Sequence, residues 1–397
     1  MRKVVPSMNA SDTNLSTVSD EHPRSPNLSS VWTCSSDTSK VRTGRQPPLF
    51  AIDLSLPPEQ RYTRICKEYH EELKELVDLY RDVLKSSPFP RVFKFLGKRL
   101  LRNVFSEETR ELKGISKASG LPYHVVVAFN TFLDSFSGCM SGGARTGSSM
   151  IHFRNLDWEM DNLRDLIIRV EYVLEGKVIA RAVTYAGYIG VLTGVREGLS
   201  LSMNYRAAMQ TESSPWRNRL HYCKVTLGRR PSIASQLRSI LLSPEPPPAL
   251  GELAAKFETM SASPCYITFC TPSSVLVIEK SLESAISHTS DKFLAVTNHD
   301  VATEKWSKRR WQALVGVEAS KEVREIMNNS MERKECMYNF WLANGAEQVS
   351  IEDVKTWLRT RPVRNEDTHF ACIMDPSVQG GGLVWVEMYF KKFVFKF

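Results

Sequence analysis

The spacing of apolar positions changes character near residue 138. Residues 1–46 are rich in Ser, Thr, Asn and Pro, with few large apolar side chains. Such a segment buries too little surface to offset its ordering entropy, so a disordered tail is expected there. Leu49–Leu54 then reads as a short strand. Pro57-Pro58 opens a helix, where a missing N–H costs nothing. Tyr62, Ile65, Cys66, Tyr69, Leu73, Leu76, Val77, Tyr80 and Leu84 recur at three- and four-residue steps, the apolar face of one long helix. Helices are also expected over 89–103 and 106–118. After Gly120-Leu121-Pro122 a last one runs through Val125, Val126, Val127 and Phe132.

Beyond Gly138 the period falls to two. From Ser148 the pattern is strands and tight turns. Leu166–Leu174 and Lys177–Tyr185 flank Glu175-Gly176 as a hairpin. Ile189–Leu192 and Leu199–Asn204 read as strands, 216–260 as mostly helical around the Pro244–Pro248 loop. Strands are again expected at Tyr266–Phe269, Val275–Glu279, Phe293–Thr297, Phe370–Met374 and Leu383–Phe390. Helices are expected from Trp306 to about Met327 and over Ile351–Leu358. Gly142–Ser149 reads as a flexible turn, since it lacks the Lys-Ser/Thr of a phosphate loop and precedes a strand. Helices first, then two batches of antiparallel strands separated by helices, predict a layered α+β sandwich.

Composition narrows the function classes. The 397 residues are 42% hydrophobic and 24% charged, enough to bury a sizeable core. The net charge of +8 suits an anionic surface, but the cations are scattered among acids and no nucleic-acid module is visible. The eight cysteines include no CxxC pair, which argues against zinc and against a small disulfide scaffold. His70-Glu71-Glu72 lacks the second histidine of a zinc-protease helix, so no metal or cofactor is expected. Met1-Arg2-Lys3 is followed only by Val4-Val5 before Pro6, too short for a secretory core, so read literally the chain starts in the cytosol. The aromatic and lysine residues of Tyr389–Phe397 suit an ordinary last strand, with a membrane-touching segment as the alternative.

Chemistry concentrates at Gly138-Cys139. In Ser149–Asp157, Met150, His152 and Arg154 share one strand face. An antiparallel return would bring Arg154 and Asp157 back beside Cys139. A guanidinium there stabilises a thiolate, the nucleophilic form of cysteine. A carboxylate could hold an ammonium or orient the arginine. The same residues also fit a buried, inert cysteine and a surface ion pair.

Cys139 followed by Arg154-Asn155-Leu156-Asp157 resembles the signature of the acid ceramidase and N-acylethanolamine acid amidase family. Thr184–Gly194 is similar to the acid ceramidase version of a segment both branches share, and Leu199–Arg206 to the next strand. Val296-Thr297-Asn298-His299-Asp300, then Trp306 and Arg309-Arg310, resembles the family's asparagine and later arginine motif. Pro47–Phe50 through Leu56–Glu59 is similar to the start of its α subunit. The resemblance spans roughly 47–376.

It implies an αββα N-terminal-nucleophile sandwich and self-cleavage between Gly138 and Cys139. The chain would then comprise a tail (1–46), a helical α-subunit-like segment (47–138) and a β-subunit-like catalytic region (139–397), the two fragments staying associated. Cys139 would be nucleophile and new N-terminus, with its freed amine as base. Arg154 would orient the thiolate, Asp157 would bind the amine, and Asn298 would donate to the oxyanion, joined by the Asn204 backbone. Arg309 is the expected second arginine, with Arg310 as the alternative. The implied substrate is an N-acyl lipid, ceramide first and N-acylethanolamine second. Acyl transfer and turnover-free lipid binding are the rivals, and a lysosomal, vacuolar or secreted location is implied.

Overall fold

The computed structural model describes residues 44–86, 106–132, 138–207, 214–307, 309–310, 321–345 and 348–390. The helix expected over 89–103, and the tail up to residue 43, lie outside them.

Two sheets form the centre. The larger runs β1-β4-β5-β6-β7-β8-β9-β10, with β1 at Leu49–Asp53, β4 at Ile167–Leu174, β5 at Lys177–Tyr185 and β6 at Thr193–Arg196. It continues with β7 at Leu199–Tyr205, β8 at Cys265–Cys270, β9 at Val275–Lys280 and β10 at Ala285–Ser290. The smaller runs β11-β2-β3-β12-β13, with β2 at Gly138–Thr146, β3 at Ser149–Asp157, β11 at Phe293–Val296, β12 at Thr368–Asp375 and β13 at Gly382–Met388. The inner faces of β2 and β3 pack on β7, β8 and β9.

Helices cover both outer faces. On the large sheet lie α1 (Thr63–Glu68), α2 (His70–Ser86), α3 (Ser106–Ser119) and α4 (Tyr123–Phe132), with α5 (Pro215–Thr226) against α4, then α6 (Ile233–Leu241) and α7 (Leu250–Thr259). Against the small sheet pack α8 (Lys321–Ala343) and α9 (Ile351–Arg359), where Met337, Trp341, Trp357 and Leu358 meet Met140, Ile151 and Phe153. The result is the expected αββα sandwich. β1, from the segment before Cys139, pairs parallel with β4, with Arg169 N donating to Pro48 O at 2.8 Å and Leu54 N to Val173 O at 2.8 Å.

Several local expectations change. The long first helix breaks at Tyr69, whose backbone (φ −106, ψ 26) leaves the helical region, so α1 and α2 are separate. Ile189–Leu192 is not a strand. The Ile189 N–H donates to Asn130 Oδ1 at 2.7 Å and the Val191 N–H to Ala234 O at 3.2 Å, so side chain and helix end take the ladder's place. The strand there is Thr193–Arg196. The glycine-rich stretch expected as a turn is mostly strand β2. A Cβ on Gly142 would lie 2.1 Å from Leu294 O, and one on Gly143 2.6 Å from Val275 Cβ, so the glycines permit close packing of neighbouring strands and sheets. β10 was not foreseen, and β13 ends at Met388, short of the expected Phe390.

Candidate active site

Cys139 sits on β2, which pairs antiparallel with β3 in the register Cys139↔Leu156 and Ser141↔Arg154. Alternation sends Cys139, Ser141, Arg154 and His152 to the inner face and Met140, Phe153 and Asn155 to the helix side. The strand-face reading of Met150, His152 and Arg154 therefore agrees with the structure. Arg154 Nη2 lies 3.3 Å from Cys139 Sγ, and neither side chain is exposed to solvent.

Arg154 Nη1 donates to Asn204 Oδ1 at 2.9 Å. Beside it, His152 is held between Ser200 and Ser202 at 3.0 and 2.8 Å. Burial, with the Arg154 charge adding, pushes the His152 imidazole down to about 3. It is a neutral spacer between the sheets. The Cys372 thiol, opposite Arg154 on β12, is pushed up by burial to about 12.

Asn298 follows β11. Its Oδ1 accepts the Cys139 backbone N–H at 2.9 Å, and its Nδ2 donates to Tyr205 O at 2.8 Å. The nitrogen that cleavage before Cys139 would free is thus already a hydrogen-bond donor to Asn298. The following loop is anchored by Asp300, which takes two bonds of 2.7 Å from the Arg206 guanidinium and a third of 2.7 Å from the Tyr266 hydroxyl. That carboxylate holds the Arg206 guanidinium above its ordinary range, against the opposing effect of burial.

Asp157 lies opposite Gly138 at the end of β3, and its Oδ1 accepts from Thr368 Oγ1 at 2.6 Å. Its Oδ2 is 2.5 Å from Arg333 Nη2, both side chains being buried. Burial pushes the Asp157 carboxyl up, with Arg333 and Thr368 opposing.

Arg309 is placed elsewhere. It is exposed, next to Arg310, whose guanidinium lies 3.9 Å over the Trp306 ring. The arginine beside Asp157 is Arg333 of α8, which lies outside the motifs that carry the resemblance. On the same helix, Ser330 Oγ accepts the Asn298 N–H at 2.7 Å, and Lys334 Nζ donates to Glu304 at 2.5 Å. Ser330, Arg333 and Lys334 fall at i, i+3 and i+4, one face of a helix. That polar spacing was the available signal, and it reads equally as a solvated face. Tyr185 and His369 were also not expected at the site; their Oη and Nδ1 are 3.0 Å apart, with Trp158 packed on both rings.

Among the described residues no group of three His, Cys, Asp or Glu could hold a metal ion, and no helix is long and apolar enough to cross a membrane. The arrangement pairs a buried sulfur with a guanidinium and an asparagine amide. Chemically it suits nucleophilic acyl transfer through sulfur.

Parts of the chain are similar to known proteins. Residues 45–104 match a family model described as the beta subunit of N-acylethanolamine-hydrolyzing acid amidase. The matched stretch lies N-terminal to Cys139, within the segment expected to be α-subunit-like. An N-acylethanolamine-hydrolyzing acid amidase of Caenorhabditis elegans is 33% identical over 174 residues, covering 41% of this chain and 49% of the relative. Human acid ceramidase is 28% identical over 179 residues, 40% of this chain and 45% of its own. The chain thus spans about half the length of the curated relatives it matches. A solved structure of the Caenorhabditis elegans acid amidase ortholog aligns with a TM-score of 0.49 at 24% identity, covering 63% of this chain and 100% of that one. The family resemblance carried by the motifs is borne out by the family model and the curated relatives.

Proposed function

We propose, from this kinship with acid ceramidase and N-acylethanolamine acid amidase, that the protein is a thiol amidase that hydrolyses the amide bond of an N-acyl lipid through Cys139. The observation that carries the reading is the Arg154 guanidinium 3.3 Å from Cys139 Sγ in a fully buried setting. A guanidinium there favours negative charge on the sulfur, because an uncompensated buried charge is expensive.

The chain is first cut between Gly138 and Cys139, which leaves the Cys139 nitrogen as a free amine. That amine takes the Sγ proton as sulfur attacks the amide carbonyl carbon. The carbonyl oxygen becomes an oxyanion, for which the Asn298 side-chain amide is the proposed donor. Collapse breaks the C–N bond, and the amine group of Cys139 passes its proton to the leaving nitrogen. Water then attacks the Cys139 thioester, assisted by the same base, and releases the fatty acid. Asp157 and Arg333 form the wall behind the new N-terminus. The second arginine is assigned to Arg333 instead of Arg309. No cofactor takes part.

The fragments would remain joined after cutting. β1 is paired with β4 across the seam, and Glu111 of α3 takes bonds of 2.6 and 2.8 Å from Arg238 of α6. Contact with a lipid surface would be transient.

Ceramide is the first substrate, since Thr184–Gly194 resembles the acid ceramidase form. N-Acylethanolamine is the second, supported by the higher identity, 33% against 28%, to the acid amidase. Measuring fatty-acid release from each by the purified chain decides between them. Release from neither, with intact lipid still bound, would leave a lipid-binding protein. Release that yields an N-acyl product when a competing amine is added would indicate a transferase.

A further inference from the structure

The Asn204 side chain touches both Arg154 and the Val296–Thr297 backbone that leads into Asn298. Its Oδ1 accepts from Arg154 Nη1 at 2.9 Å and from Ser141 Oγ at 3.1 Å. Its Nδ2 donates to the carbonyls of Val296 and Thr297, at 3.2 Å each. An amide side chain has two lone pairs and two N–H donors, and all four are taken. The residue is fully buried. Its backbone N–H is turned away as well. Met203 N donates to Leu192 O, so alternation aims the next N–H into the ladder where Asn204 pairs with Tyr266. Neither the side chain nor the main chain has a donor left for an oxyanion.

The four partners show what the residue does instead. Arg154 is the group at Cys139 Sγ, and Thr297 leads directly into Asn298, the group at the Cys139 nitrogen. Ser141 lies two residues after Cys139 on the same strand face and is braced from the other sheet by Thr268 Oγ1 at 2.8 Å. One side chain therefore ties strand β7 to β2, β3 and β11. A planar amide in the low-dielectric interior fixes the guanidinium in one orientation, since every alternative leaves a buried charge without its acceptor.

We propose that Asn204 is a positioning residue: it sets Arg154 against Cys139 Sγ and the Thr297–Asn298 backbone against the Cys139 nitrogen, and it is not an oxyanion donor. This rests on the reading of Cys139 as the nucleophile.

The test is the pH dependence of Cys139 alkylation by iodoacetamide on the native full chain, followed by mass spectrometry of the peptide that ends at Arg145. Its mass also reports whether the chain has been cut. Asn204→Ala should move the alkylation midpoint upward by about one pH unit, the size expected when a charge partner is loosened. Ser141→Ala removes the hydroxyl that bonds Asn204 and Thr268 and should give a smaller shift of the same sign. In an Arg154→Ala background, Asn204→Ala should add nothing. Unchanged midpoints in both single variants, with turnover reduced, would make Asn204 a direct donor and overturn the proposal. A shift that persists without Arg154 would overturn it too. Should Asn204→Ala fail to fold, Ser141→Ala decides. If the wild type hydrolyses no amide yet the shifts appear, the amidase reading falls and the positioning role stands.

Discussion

Arg333 of α8 places a guanidinium nitrogen 2.5 Å from the Asp157 carboxylate, with both side chains buried. Removing one member of such a pair strands the other charge, which costs roughly 3–5 kcal/mol. Arg333→Ala should therefore cut unfolding stability by about that amount and impair activity. Arg309→Ala, at an exposed position, should stay within about 0.5 kcal/mol of wild type. Urea unfolding of the two variants separates the assignments, and equal losses would contradict this one.

The difference between Arg309 and Arg333 shows what the sequence could and could not reveal. Period-two alternation and a short return placed Arg154 beside Cys139, because both lie on adjacent strands joined by one tight turn. Local pattern suffices there. Arg333 reaches Asp157 from a helix far along the chain, and its neighbours Ser330 and Lys334 look like a solvated face until the small sheet packs on them. The glycines of β2 misled for a related reason. Gly142 and Gly143 suggest a turn locally, whereas the reason for them lies in strands β9 and β11, which approach too closely for a Cβ. The Ile189–Leu192 segment is apolar enough for a strand, but Asn130 and Ala234 take its N–H groups from other elements.

Asn298→Ala should lower kcat about a hundred- to a thousandfold, as loss of one oxyanion donor does, with KM changing far less. The comparison needs protein that has been cut before Cys139, since Asn298 also accepts the Cys139 N–H. A loss confined to KM would make Asn298 a substrate contact only.

Stability should decline on mild acidification. His152 is held down to about 3 and His221 to about 4, while His299 and His369 are also lowered, in each case chiefly by burial. The unfolded chain binds these protons below about 6.5 and the native one does not, so stability is full above that pH and falls towards the native values. At pH 5, about 1.5 units below the unfolded value, His152 alone would cost about 2 kcal/mol. His152→Asn should flatten the curve of unfolding free energy between pH 5 and 7; an unaltered slope would show that His152 is charged in the native state.

An acyl-lipid substrate implies dependence on chain length, because each buried CH₂ contributes roughly 0.8 kcal/mol. kcat/KM should rise from short to long N-acyl amides. A flat profile, or a preference for acetyl amides, would point to a small-molecule amidase.

Whether cleavage makes Cys139 N-terminal is read from one intact-mass spectrum of the purified chain. Two species are expected, residues 1–138 and 139–397, with the heavier beginning Cys-Met-Ser-Gly, and a single uncut species for Cys139→Ala. A fully active wild-type protein that runs as one 45.1 kDa chain would contradict that cleavage.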